Sequence, residues 1–381
     1  MSEPDDGGRA VLRAVAVAAA ALAGFLFSLT PVAAFLDATL LDASWRLLRR
    51  IDARPSPDDI VIVGIDPATV KAIAEPPALW HESLGRALAR IADTRPRAIG
   101  LDFALPEKSY DAIRPGLDRA LFAGLATAIE SAPFVTVLSI DARTRGARRI
   151  HTPFLALLGE SRLGIGLLAR EADNVTRRFS LAIPTEDGAF PTLEGRLCRA
   201  LKRDCGDGLV NYALGPPFGY VSLKTVLETQ DRAALERLFR GRIVLIGETQ
   251  PYSDRVPVPV NLAGWEPAAR DSPAIVVHAQ ALRTALANAA PAEASRPLTM
   301  LMITLAALLV LVSDWRHALA WAVLSTAGLL AIEVFALRGG LYIAPSAVLF
   351  ALWAVAGFRC VSAWRARRQV HLPASNFPQT P

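Results

Sequence analysis

Three times the chain builds a short run of apolar, strand-forming residues and closes it on an acid. "DDIVIVGID" ends at Asp66, "RPRAIGLD" ends at Asp102, and "RGRIVLIGE" ends at Glu248. Runs of this length, rich in Val and Ile, predict buried strands; "FVTVLSI" from Phe134 predicts another. The segments between them keep a helical period instead. "HESLGRALARIADT" puts Leu84, Leu88 and Ile91 on one face, and "LDRALFAGLATAIE" repeats the pattern. Asp66 followed by Pro67 marks a helix start, with the acid as N-cap and proline at the first helical position. "LGIGLLAREADNVTRRFSLAIPTEDGAFPTLEGRLCRAL" reads as a hairpin-rich section leading into a helix. The alternation of strand and helix predicts an α/β domain whose sheet is at least partly parallel and mixed overall.

The ends of the chain obey another rule. Ala14 to Phe35 is an uncharged apolar run of 22 residues, long enough to cross a hydrocarbon core of about 30 Å as one helix. Its "PVAA" segment leaves signal-peptide cleavage as the alternative to an anchor. Residues 297–313, 318–337 and 339–358 are three more apolar stretches, broken only by "DWRH" and "RGG". They predict four transmembrane α-helices, one N-terminal and three C-terminal. Arg359, Arg365, Arg367 and Arg368 crowd the end of the last stretch, which places residues 359–381 in the cytoplasm. Four crossings return residues 1–13 to the same side and leave residues 36–296 outside. Glu333, close to Arg338, is expected to snorkel to the interface.

Composition adjusts this picture little. Hydrophobic residues make up 52% of the chain, as a part-membrane protein requires. The net charge of +5 comes from scattered arginines with no basic block before the tail, so a nucleic-acid surface is not expected. No CxxC, Cys/His cluster or G-x-G-x-x-G occurs, and neither metal nor cofactor is expected. Cys198 and Cys205 stand seven residues apart in the outer segment. They form either a disulfide or two separate buried thiols, while Cys360 should stay reduced.

The candidate ligand-binding residues are Asp66, Asp102, Glu248, Asp254 and His278. Ligands of open α/β sheets bind outside the carboxyl ends of the strands, and Asp254 sits in the proline-rich loop "ETQPYSDRVPVP" that follows Glu248. If the strands carrying Asp66 and Asp102 are neighbours, the acids meet at one rim, with Arg255 the nearest cation in sequence. The plainer alternative has Asp66 capping a helix, Asp102 ordering a loop, Glu248 and Asp254 bracketing a turn, and His278 buried and hydrogen-bonded. Arg177 and Arg178 with Asp173 form either a salt-bridged turn or an anion site. No residue qualifies as catalytic.

Several stretches, in order, resemble the CHASE2 family of extracytoplasmic sensory domains in bacterial signalling receptors. "LLDASWRLLRRIDARPSPDDIVIVGID" resembles the family's entry helix and first strand, and "RPRAIGLDFALPE" its second strand. "DNVTRRFSL" is similar to its Asp-x-x-x-Arg-Arg turn, and "VNYALGPPFGYVSLKTVLE" to its Asn-Tyr…Gly-Pro-Pro segment. "LFRGRIVLIGETQPYSDRVPVP" and "SPAIVVHAQALRTAL" resemble the closing strand, loop and helix. The likeness runs from Phe35 to Ala290. It departs at Trp80, alone where members carry a Trp-Pro-Trp-Pro stretch, and at Glu248-Thr249, where Ala-Thr is usual. Such receptors usually continue into a cyclase or kinase, whereas this sequence ends soon after its last apolar stretch.

The resemblance implies a multi-pass protein of a bacterial inner membrane with its sensor in the periplasm. It would detect a small ligand or envelope protein and signal to a separate cytoplasmic or membrane partner; a homodimer stays open. An anchored periplasmic enzyme using Asp66, Asp102 and Asp254, or a structural subunit of an envelope complex, are the alternatives.

Overall fold

The computed structural model describes residues 6–56, 59–138, 149–185, 188–267, 269–312 and 317–370. The chain divides into two units, one formed by Met1–Ser44 with Ala292–Pro381 and the other by Trp45–Pro291.

The central unit is organised by six strands: β1 (Ile60–Ile65), β2 (Ala98–Asp102), β3 (Phe134–Leu138), β4 (Leu163–Ile165), β5 (Tyr220–Ser222) and β6 (Ile243–Glu248). They lie in the order β4-β3-β2-β6-β1-β5, and every pairing is parallel. A parallel sheet needs helices on both faces, which is why β1, β2, β3 and β6 read as continuous apolar runs. The antiparallel component expected of a mixed sheet is confined to separate short pairings, such as Ala182–Thr185 with Gly188–Pro191. A second difference matters more. β1 and β2 are not neighbours, because β6 inserts between them.

One face of the sheet is covered by α3 (Pro67–Ile73), α4 (His81–Ala92), α5 (Leu117–Ser131), α6 (Thr152–Leu158), α8 (Leu223–Glu228) and α9 (Arg232–Phe239). Leu84, Leu88 and Ile91 of α4 pack with Leu121 and Leu125 of α5 onto Val63, Ile99, Leu101, Val244 and Ile246. Here α4 and α5 touch backbone to backbone. A Cβ built on Gly124 would lie 2.2 Å from the Gly85 carbonyl oxygen, and one on Gly85 would lie 2.3 Å from that of Ala120.

The opposite face carries α7 (Leu193–Ala200) and α10 (Ala274–Leu286). Gly100 of β2 makes room for Leu193 and Leu197, and Gly247 of β6 for Ile275. α10 is buried nearly all round, its polar residues His278, Gln280, Arg283 and Thr284 included. Cys198, near the end of α7, is joined to Cys205 in a disulfide with Cα atoms 6.3 Å apart.

The other unit holds α1 (Asp6–Ser28), the start of α2 (Pro31–Ile51), α11 (Arg296–Val312), α12 (Ala318–Arg338) and α13 (Ser346–Val370). Among the described residues, α12 and residues 346–365 of α13 are long and apolar enough to cross a membrane, and α11 is a shorter apolar helix. The apolar run from Ala14 to Phe35 is not one helix. It bends by 79° between α1 and α2, where Pro31 starts a new helix and the Thr30 hydroxyl accepts from the Ala33 N–H at 3.2 Å. If the bent pair counts as one span, the candidates number three. Glu333 does not snorkel. It is 1% exposed and accepts a hydrogen bond from Ser44 at 2.5 Å, so a neighbouring helix supplies the donor that lipid lacks. The Asp37 carboxylate likewise accepts from the Ser346 N–H at 2.8 Å and caps α13.

Gly124→Ala should destabilise the full chain by about 2 kcal/mol, because the added methyl meets backbone that has nowhere to move. Gly219, with open space where its Cβ would be, is the control. Denaturant midpoints of the two purified variants check this, with Gly219→Ala expected close to wild type.

Candidate functional site

The carboxyl ends of the parallel strands form one rim, and three acids line a pocket there. Register accounts for two of them. Asp102 of β2 lies opposite Gly247 of β6, so Glu248 is the next residue along. Side chains alternate between faces, which puts Asp102 on the side of α7 and α10 and Glu248 on the side of α4 and α5. Asp254 comes from the loop after β6, at φ +49°, and its carbonyl accepts from the Ala274 N–H at 2.8 Å, tying that loop to the start of α10. The cavity measures about 430 Å³; Phe103, Leu138, Ile165 and Leu167 form apolar walls around Asp102, Glu248 and Asp254.

Beneath Asp102 sits a buried charge relay. His278 of α10 is 1% exposed. Its Nδ1 lies 2.6 Å from the Glu194 carboxylate of α7, and its Nε2 lies 3.9 Å from Asp102 Oδ2. Burial works against a charge on the imidazole, but Glu194, and after it Asp102 and Asp254, outweigh burial and raise its pKa to about 9. Burial likewise pushes the Asp102 carboxyl up, to about 6. The His278 charge opposes that rise and Asp254, Glu194 and Glu248 add to it. Among the described residues, Asp102 Oδ2, Glu248 Oε2 and the His278 Nε2 that faces Asp102 are buried without a hydrogen-bond partner. Gly166 leaves the space, since a Cβ there would lie 2.9 Å from Asp102 Oδ1.

Asp66 does not join this group. With β6 between them, the β1 and β2 axes are roughly 9–10 Å apart. Asp66 caps α3, and its Oδ1 accepts from the Thr69 N–H at 2.8 Å, the Thr69 hydroxyl at 2.6 Å and Ser222 at 2.9 Å. Burial disfavours its charge, yet the bonds from Thr69, Ser222 and Tyr220 win and hold the carboxyl below its ordinary range. Nor does Arg255 neutralise the rim acids. Its guanidinium binds Glu266 at 2.6 Å and Asp271 at 2.5 Å. Arg177 sits in a salt-bridged turn, with Asp173 at 2.7 Å and Glu171 at 2.9 Å. Among the described residues, no group of three His, Cys, Asp or Glu side chains is placed to hold a metal ion.

The family model of the CHASE2 domain matches residues 15–326. The chain belongs to the CHASE2 family. This is an extracellular sensory domain family, so the rim pocket belongs to a sensory fold. No match to the chain was found among curated proteins or solved structures.

One central residue of this CHASE2 domain is hard to pick out from sequence. Glu194 looks like an ordinary first-turn acid after the Thr192 N-cap. The available signal is helical phase, because Leu193, Leu197 and Cys198 place it beside the apolar stripe of a short helix.

The relay gives the domain a pH-dependent stability with a defined sign. A histidine raised from 6.5 to about 9 stabilises the fold fully below pH 6.5, and that contribution is lost as pH climbs to about 9. Asp102, raised from 3.8 to about 6, works in the same direction at lower pH. Unfolding of the full chain should therefore become easier by on the order of 3 kcal/mol from pH 6.5 to 9. Denaturant titrations at both pH values should show that slope in wild type and a much flatter one in His278→Gln.

Proposed function

We propose that the protein is a membrane-bound receptor that meets its signal outside the cytoplasmic membrane of a bacterium. The signal enters the pocket at the ends of β2, β3, β4 and β6, and the helices of the other unit carry the change to a separate signalling partner. One observation supports this reading above the rest. A sensory-family fold presents, at the strand ends where α/β sheets take their ligands, a cavity lined by the carboxylates of Asp102, Glu248 and Asp254 beside apolar walls. The pocket loop bonds to the start of α10 through Asp254 and Ala274, and α10 is the last long element before α11. Occupancy of the pocket thereby bears on the segment that leads into the membrane helices.

In this arrangement α1 with α2, α11, α12 and α13 make four crossings, with the arginine-rich end of α13 inside. The protein acts as a receptor rather than a catalyst, a reading that its membership of a sensory family supports.

Reporter fusions in the native host test the arrangement. Fusions after residues 60, 150 and 290 should report the outer compartment, and one after residue 365 the cytoplasm. Maleimide labelling should in parallel reach Cys360 without reductant and reach Cys198 and Cys205 only after reduction. A cytoplasmic signal at residue 150, or free thiols at 198 and 205, would overturn the placement.

A further inference from the structure

We infer that α2 lies flat along the outer surface of the cytoplasmic membrane, with the lipid boundary as the partner of its exposed apolar face. The inference rests on the membrane reading proposed above and adds which half of the bent N-terminal pair crosses and which half does not.

The pattern along α2 has a helical period. Val32, Phe35 and Leu36 are 59%, 61% and 41% exposed, and Thr39 and Ala43 continue the same face, also exposed. Steps of three and four residues keep these positions on one stripe. The opposite stripe is closed, with Ala33, Leu41 and Ser44 buried. A row of large apolar side chains held open to water is costly. A helix packed on one side and apolar on its open side is what a lipid boundary accepts.

Geometry separates a helix lying in that boundary from one crossing it. By itself α1 has 23 residues, about 34 Å at 1.5 Å per residue, enough for a hydrocarbon core of about 30 Å. Its Ala16, Val17 and Ala20 pack against the cluster that holds Ala307 and Val310 of α11 with Leu352 and Val355 of α13. The crossing helix is therefore α1. From its end α2 departs at a bend of 79°, close to a right angle.

The inward contacts of α2 agree. The Asp37 carboxylate accepts from the Ser346 N–H at 2.8 Å and the Ser346 hydroxyl at 2.7 Å, at the first residue of α13. Ser44 donates to Glu333, within two turns of the end of α12. With the arginine-rich end of α13 inside, α12 ends and α13 begins on the outer side. Both contacts of α2 thus fall at the outer ends of its neighbours.

Site-directed spin labelling of the full chain in nanodiscs of phosphatidylethanolamine and phosphatidylglycerol tests this. In a Cys360→Ser background, Val32→Cys, Leu36→Cys and Ala43→Cys are labelled one at a time. The relative access of oxygen and a nickel chelate reports the depth of each label. All three positions are exposed, so the variants should fold. Leu324→Cys, at a position 62% exposed in α12, is the reference for a crossing helix. Oxygen should reach the three α2 labels better than nickel does. Their depths should agree to within about 5 Å, the spread of the boundary layer that interfacial helices occupy, and Leu324 should read deeper than all of them.

A depth difference of about 16 Å between Val32 and Ala43, the full helical rise between them, would mean that α2 crosses and would overturn the inference. Free access of nickel to all three labels would overturn it too, by placing the face in water. So would dipolar broadening that disappears on dilution with unlabelled chain, because a second copy would then cover the face. Water-like access at Leu324 is a different failure, since it removes the membrane reading itself.

Discussion

The site depends on one buried contact, the 2.6 Å bond between His278 of α10 and Glu194 of α7. Each partner alone would be an uncompensated charge in a dry interior, a cost of several kcal/mol. Together they let a histidine stay protonated behind the sheet. That cation makes a carboxylate tolerable at the end of β2, where Asp102 is pulled toward ionisation by His278 and away from it by burial and the other acids. Remove the pair and two consequences follow from the same cause: α7 and α10 lose the polar bond between them, and Asp102 loses its counter-charge. The disulfide from Cys198 to Cys205 ties down the end of the same α7 helix, so the element that carries Glu194 is held from both ends of its length.

Much of this architecture is legible in the residue pattern alone. The apolar runs before Asp66, Asp102 and Glu248, and the helical stripes of α4 and α5, follow directly from side-chain period. The acids at strand ends follow too, since parallel strands all finish at one rim. What sequence adjacency hides is strand order. β6 comes from about 140 residues further along the chain than β2 and settles between β1 and β2, which separates Asp66 from Asp102 and sets Glu248 beside Asp102. Long-range insertion of this kind leaves no local trace.

Local chemistry misleads at other positions for other reasons. Arg255 stands next to Asp254 in sequence, but it opens a short strand paired with residues 271–273, and Glu266 and Asp271 hold its guanidinium. Glu194 has the look of a dipole-stabilising first-turn acid and is instead buried against His278. In the helical unit, an apolar run without charges gives no warning of the turn at Leu29 and Thr30, although Thr30-Pro31 is a helix-start pair. Proximity in sequence pairs Glu333 with Arg338, whereas its partner is Ser44, 289 positions away.

The central claim is that a protonated histidine is held between carboxylates beneath the rim of the sheet. Nitrogen NMR of the full chain, with 15N-histidine and the His278→Gln variant to assign the signal among five histidines, measures it directly. The account predicts that both ring nitrogens of His278 carry protons at pH 7.5 and that one is lost only near pH 9. A neutral imidazole at pH 7.5, titrating at or below the ordinary 6.5, would contradict it.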